Sequence, residues 1–145
     1  MWQNVIQKTV PRIAPMLSFE RQCEEAVELY KKAFGAKILC LRRYADAPDD
    51  LPNKYNAAKD AELIYYAEIK IGGQRIMLCD NLFSDLPKGH TINLVVMYDT
   101  FDEAKTAYDI MIDGATNLIP LTADSLSCDF VDKYGIAWCI MVYHD

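Results

Sequence analysis

The stretch CEEAVELYKKAFGAKI, residues 23–38, is followed far along the chain by DEAKTAYDIMIDGATN, residues 102–117, built on the same plan. In the first, Ala26, Tyr30, Ala33 and Phe34 recur at helical spacing, with Val27 and Leu29 widening the stripe. Glu24, Glu28, Lys31 and Lys32 take the wet side, and Glu28 and Lys32 stand in the favourable i,i+4 order. Gly35 supplies a residue that can enter the left-handed region and end the helix. The second stretch places Ala104, Tyr108, Met111 and Ile112 inward and stops at Gly114.

Working outward, Glu25-Ala26 aligns with Glu103-Ala104 at an offset of 78 residues, which also matches Tyr30 to Tyr108. Extended apolar runs precede each helix (APMLSF and INLVVM), and strands AKILCLRRY and ATNLIPL follow. Each unit then closes with a hairpin. AELIYYAEIKIGGQRIMLCD turns at Gly72-Gly73, a two-residue signal between alternating strands, and SCDFVDKYGIAWCIMVYH turns near DKYG. Both halves read β-α-β-β-β, an internal duplication. The predicted fold class is α+β, one domain over 1–145, with a first module at 13–80 and a second at 90–143. Gly73 against Gly135 gives an offset of only 62, so the first half carries about 16 additional residues. They fall at 44–61, in a segment rich in Asp, Asn, Ala and Pro that reads as a surface loop, either covering a pocket mouth or simply solvated.

At 145 residues the chain has room for one ordinary core. The formal charge of −6 argues against nucleic acid, since no basic face emerges to neutralise phosphates. No apolar run is long enough to span a bilayer, and the first residues lack a signal-peptide pattern, so a cytoplasmic location is expected. Cys23, Cys40, Cys79, Cys128 and Cys139 form no C-x-x-C pair. Cys40, Cys79 and Cys139, in strand-like runs, are expected to be small buried hydrophobes.

The order and spacing of PMLSF, CEEAVELYKKAFGAKI, AEIKIGGQRIMLCD and VDKYGIAWCI resemble the vicinal oxygen chelate superfamily of glyoxalase I, bleomycin-resistance proteins and extradiol dioxygenases, and more closely its PhnB-like branch. The last motif is similar to that family's D-x-x-G-x-x-W-x-I ending. The resemblance covers the chain from about residue 13 onward. It implies two four-stranded sheets around a U-shaped cavity with the helices outside, and a homodimer. In enzymatic members it also implies a divalent metal held by His, Glu or Gln on equivalent strands, acting as a Lewis acid.

Against that pattern, the first strand offers no donor between Ala14 and Leu17. The last strand has Trp138 and Ile140 where metal-binding members carry Glu, and Tyr66 stands where PhnB-like relatives often place His. The expected position in the fifth strand falls near Ile92 or Asn93, with His90 just before it. Alternation in AELIYYAEIKIGG puts Glu62, Ile64, Tyr66, Glu68 and Lys70 on the presumed cavity face. Glu68 and His90 are the candidates for acid-base or metal chemistry, and Tyr66, Glu68 and Trp138 for ligand binding. The alternatives are a strand-edge histidine, a Glu68–Lys70 surface pair, and a packing role for Trp138. Asp80 and Asp132 read as turn-capping residues. No cofactor is predicted. A divalent metal would need an unusual donor set, because the usual ligand positions are not filled.

The expected function is binding of an unidentified small molecule in the inter-sheet cavity. A metal-dependent lyase, isomerase or dioxygenase with variant ligands is one rival. An antibiotic-sequestering resistance protein is the other, and the acidic net charge is compatible with a cationic ligand. The N-terminal lead with Trp2, Val5, Ile6 and Val10 suits dimer contacts.

Overall fold

The computed structural model describes residues 11–47, 57–82 and 85–143, and within them the duplicated plan is visible. The first unit runs β1 (Met16–Phe19), α1 (Cys23–Phe34), β2 (Lys37–Arg43), a 3-10 turn at Tyr44–Asp46, a short α2 (Ala57–Asp60), β3 (Ile64–Ile71) and β4 (Gln74–Asp80). The second runs β5 (Leu94–Tyr98), α3 (Phe101–Met111), β6 (Thr116–Ile119), β7 (Asp129–Val131) and β8 (Ala137–Val142). Each makes one four-stranded sheet, in the orders β1-β4-β3-β2 and β5-β8-β7-β6. The first strand of each unit joins the last in parallel, and the other pairs are antiparallel. Trp2, Val5, Ile6 and Val10 lie outside the described residues, as does the 48–56 portion of the 44–61 loop.

The helices begin and end for identifiable reasons. At α3, Thr100 is the N-cap: its hydroxyl accepts from the Glu103 amide at 3.2 Å and donates to the Glu103 carboxylate at 2.8 Å. At α1 the preceding Gln22 makes no side-chain cap. The Asp80 carboxylate, from the end of β4, reaches back instead, accepting from the Cys23 amide with one oxygen and the Ile64 amide with the other, both at 2.9 Å. α1 ends at Gly35 with φ of 67°, as its sequence indicates. α3 stops earlier than the glycine suggested: Ile112 caps it, and Gly114 comes after one further turn. Glu28 pairs with Lys31 at 3.2 Å rather than with Lys32.

Both helices bury one stripe: Cys23, Ala26, Val27 and Tyr30 on α1, and Ala104, Ala107, Tyr108 and Met111 on α3. Each lies on strands of its own unit, and the two helices pack on each other. A single apolar core therefore runs through both units, joining Leu17, Ile69 and Leu78 of the first sheet to Phe130, Trp138 and Ile140 of the second. At its centre is Asp132, only 3% exposed. One oxygen accepts from the Tyr134 and Ile136 amides at 2.9 and 3.0 Å, closing the β7–β8 turn. The other accepts from the Tyr30 hydroxyl of α1 at 2.7 Å and the Trp138 indole at 2.9 Å. The turn-capping role read from the sequence is present for Asp132, with a second role added. Asp80 instead joins a helix start to a strand.

Removing the Asp132 carboxylate orphans two buried side-chain donors at about 1–3 kcal/mol each. Asp132→Ala is expected to lower unfolding stability by about 2–5 kcal/mol in urea titrations, more than the Tyr30→Phe loss. A Tyr30→Phe variant as stable as the wild type would mean that the carboxylate does not join the units.

Candidate functional site

Because α1 and α3 cover one face of each sheet, the side chains of opposite parity are left on an open face. On β3, Ala67 and Ile69 lie in the core at 1% and 0% exposure, so Tyr66, Glu68 and Lys70 point the other way. Ile64 breaks the expected parity and is fully buried, because the β2–β3 register shifts between Arg42 and Arg43. The same shift separates the two arginines. Arg43 reaches Glu24 on α1 at 2.6 Å, while Arg42 stands opposite Tyr66.

On this open face Glu68 is the hub. Its Oε1 accepts from Arg75 Nη1 at 3.1 Å, and its Oε2 lies 3.7 Å from the Cys40 thiol across the β2–β3 pair. Tyr66 lies two residues away on the same face of the strand. The Tyr66 contact first, with the Arg75 contact and charge adding to it, lowers the Glu68 pKa from its usual value. Glu68 thus remains an ionised acceptor around neutral pH. Its partner is Arg75 from the neighbouring strand rather than Lys70. Ser18 and Cys79 meet on the same face at 3.6 Å.

The second sheet's open face carries the other candidate. His90 Nε2 sits 3.1 Å from Asp129 Oδ1, which also accepts from Asn93 Nδ2 at 3.1 Å. A histidine held by a carboxylate can exchange protons. It belongs, however, to a different sheet from Glu68. Around it, Val95 and Met97 on β5 are exposed, and Cys139 and Met141 on β8 stand opposite them.

Trp138 requires a correction. The indole is 1% exposed, with its ring 5.1 Å from Tyr30 and 4.8 Å from Phe34 of α1. It occupies the helix-covered face, not a lining shared with Tyr66. Strand alternation separates two faces but does not say which one a helix will cover, and a large ring with one donor was drawn to the buried Asp132. The cysteine expectation is also revised: Cys40, Cys79 and Cys139 are half-buried on the open faces, while Cys23 and Cys128 are the buried ones. Burial pushes the Cys128 thiol up to about 11, leaving it an inert packing group.

The donor set does not fit the divalent metal carried by the superfamily's enzymes. Glu68 is engaged by Arg75 on one sheet and His90 by Asp129 on the other. Among the described residues, no three His, Cys, Asp or Glu side chains are grouped closely enough to hold an ion. Arg42, Arg75 and Cys40, which complete the surroundings of Glu68, are not among the site candidates read from the sequence, where Cys40 is expected to be a buried hydrophobe. The Gly72-Gly73 turn held the signal for Arg75, because a two-residue turn sets Ile71 opposite Gln74 and hence Lys70 opposite Arg75.

The carboxylate's environment is directly measurable. In Tyr66→Phe the Glu68 midpoint, followed by carboxyl-carbon NMR, is expected to rise toward the ordinary carboxylate range. Since the folded pKa is lowered, the linked stability is present above the unfolded value and is lost as pH falls through the folded one. An unchanged midpoint would remove Tyr66 from the hub.

A family profile described as 3-demethylubiquinone-9 3-methyltransferase matches residues 11–141. Protein YjdN of Escherichia coli (strain K12) is 24% identical over 140 residues, covering 90% of this chain and 94% of YjdN. Among solved structures, a putative 3-demethylubiquinone-9 3-methyltransferase, PhnB protein, from Bacillus cereus superposes with a TM-score of 0.75 at 23% identity, covering 92% of this chain and 100% of that one. The fosfomycin resistance protein FosX from Listeria monocytogenes gives a TM-score of 0.62 at 10% identity, covering 92% of each. At such identities the solved structures speak for the fold alone. Among the described residues no helix is long and apolar enough to cross a membrane. With the profile spanning nearly the whole chain, and the two βαβββ units sharing the fold of the PhnB and FosX structures, the chain belongs to the 3-demethylubiquinone-9 3-methyltransferase family.

Proposed function

We propose that the protein is a homodimeric small-molecule-binding member of this superfamily, with its ligand seated on the open face of the first sheet against Tyr66 and Glu68. One observation carries the reading. The helices and the core occupy one face of each sheet, while the other face of the first sheet presents a phenol, a carboxylate, a thiol and guanidinium groups on a rigid strand framework. Polar groups fixed on neighbouring strands beside apolar side chains are what a ligand-orienting surface requires. The apolar members here are Met16, 53% exposed, and Met77 opposite it.

Exposed apolar side chains on the second sheet support the dimer. Its open face leaves Val95, Met97 and Ile119 in water at 47%, 57% and 53% exposure. Rows of apolar side chains on an uncovered sheet mark an interaction surface. A second copy covering that face would remove these side chains from water.

Two measurements test the reading. Light scattering should give twice the chain mass, and Met97→Glu should shift it to the monomer. A fragment library screened by amide chemical shifts should perturb Tyr66, Glu68, Arg75 and Met77 together. A monomeric wild type removes the dimer, and hits confined to residues on the helix-covered faces remove the site.

A further inference from the structure

Strand register places side chains of the first sheet's open face in rows. Lys37 stands opposite Lys70, and Lys70 opposite Arg75, so three cations lie side by side across β2, β3 and β4. The next row is Cys40, Glu68, Met77 and Met16, and beyond it Arg42 stands opposite Tyr66. The face therefore carries four cations, Lys37, Lys70, Arg75 and Arg42, around one carboxylate, in a chain whose net charge is −6. Among the described residues, Glu68 meets Arg75 alone of these, and Lys37, Lys70 and Arg42 pair with no carboxylate.

Like charges directly opposite one another on a sheet destabilise it. A protein with 21 acidic residues has ample means of neutralising three adjacent cations, yet no acidic residue lies beside Lys37 and Lys70 in their row. Uncompensated local conflict of this kind is expected where a ligand completes the site. A second observation places room beside the row. A hollow of about 1080 Å³ meets the row at Arg75 and is lined also by Arg12, Ile13, Gln74 and Met77. Ile13, 96% exposed, leaves an apolar side chain in water at the edge of this hollow beside Arg12 and Arg75.

We infer that the ligand of this face is an anion: a small molecule with a carboxylate or phosphoryl group held by the Lys37–Lys70–Arg75 row and an apolar body lying toward Ile13 and Met77. Arg75 has donors to spare beyond the one given to Glu68 and can present a planar fork to a carboxylate or phosphate. Lys37 and Lys70 supply point charge. This reverses the expectation drawn from net charge, because the acidic residues lie elsewhere and the site has the opposite sign. The inference rests on the proposed binding role of the open face and names the class of its ligand.

The test uses the full chain with benzoate, benzamide, benzamidine and inorganic phosphate as probes, followed by amide shifts and by thermal unfolding at matched ionic strength. Benzoate should perturb Lys70, Arg75 and Met77 and bind more tightly than neutral benzamide, with cationic benzamidine weakest. Lys37→Gln and Lys70→Gln should each weaken benzoate by about 2- to 5-fold, as expected for exposed charge pairs. Phosphate should raise the unfolding midpoint of the wild type more than chloride does, and the double variant should lose that difference. The double variant should also be no less stable than the wild type at low salt, since repulsion is relieved, which separates loss of binding from loss of folding. Equal binding of benzoate and benzamide on this face would overturn the anion and leave the binding role standing. Absence of any shift on the face with all four probes would overturn both.

Discussion

One carboxylate joins the two halves of this protein. Asp132 accepts two backbone amides of its own turn and two side-chain donors, one of them the Tyr30 hydroxyl of the other unit's helix. All of this happens in a core where an unsatisfied group is costly, so the four bonds are made together or the interface loosens. Burial raises the Tyr30 hydroxyl well above its ordinary pKa, which keeps it a proton donor to Asp132. The ring cluster of Tyr30, Phe34 and Trp138 then packs around a fixed point. Without it, two similar units of modest size would each have to bury a helix and a sheet alone.

That junction has a consequence for chemistry. It commits α1, α3 and one face of each sheet to packing, and the side chains able to meet a ligand are those of the other parity. Asp80 shows the same division. Its carboxylate, 2% exposed, is spent on the amides that start α1 and β3, and burial raises its pKa against the lowering effect of those bonds. Glu68 is the contrasting case, a carboxylate on the open face with its pKa lowered by a phenol and a guanidinium. Two acidic residues in one sheet therefore serve opposite ends, one holding the fold and one facing outward.

The charge distribution follows the same division. Glu24 and Glu28 on α1 and Asp109 on α3 meet Arg43, Lys31 and Lys105 on the helical side of the molecule. The open face of the first sheet keeps its cations nearly unbalanced. Net charge averages over both sides and so gives the wrong sign for the region where a ligand would sit.

The sequence by itself determined the duplication, the two helices with their buried stripes, the Gly72-Gly73 hairpin and the parity of β3 near Glu68. These are local properties, set by side-chain periodicity and turn chemistry within a few residues. Only the tertiary structure decided that Trp138 lies beneath α1, that Tyr30 bonds Asp132 across 102 residues of chain, and that Lys37, Lys70 and Arg75 share a row. Alternation sorts a strand into two sets of side chains without saying which set will be covered. That choice is made when the two halves bury their apolar faces in one core, and a register shift such as the one at Arg42 and Arg43 can reverse it within a single strand pair.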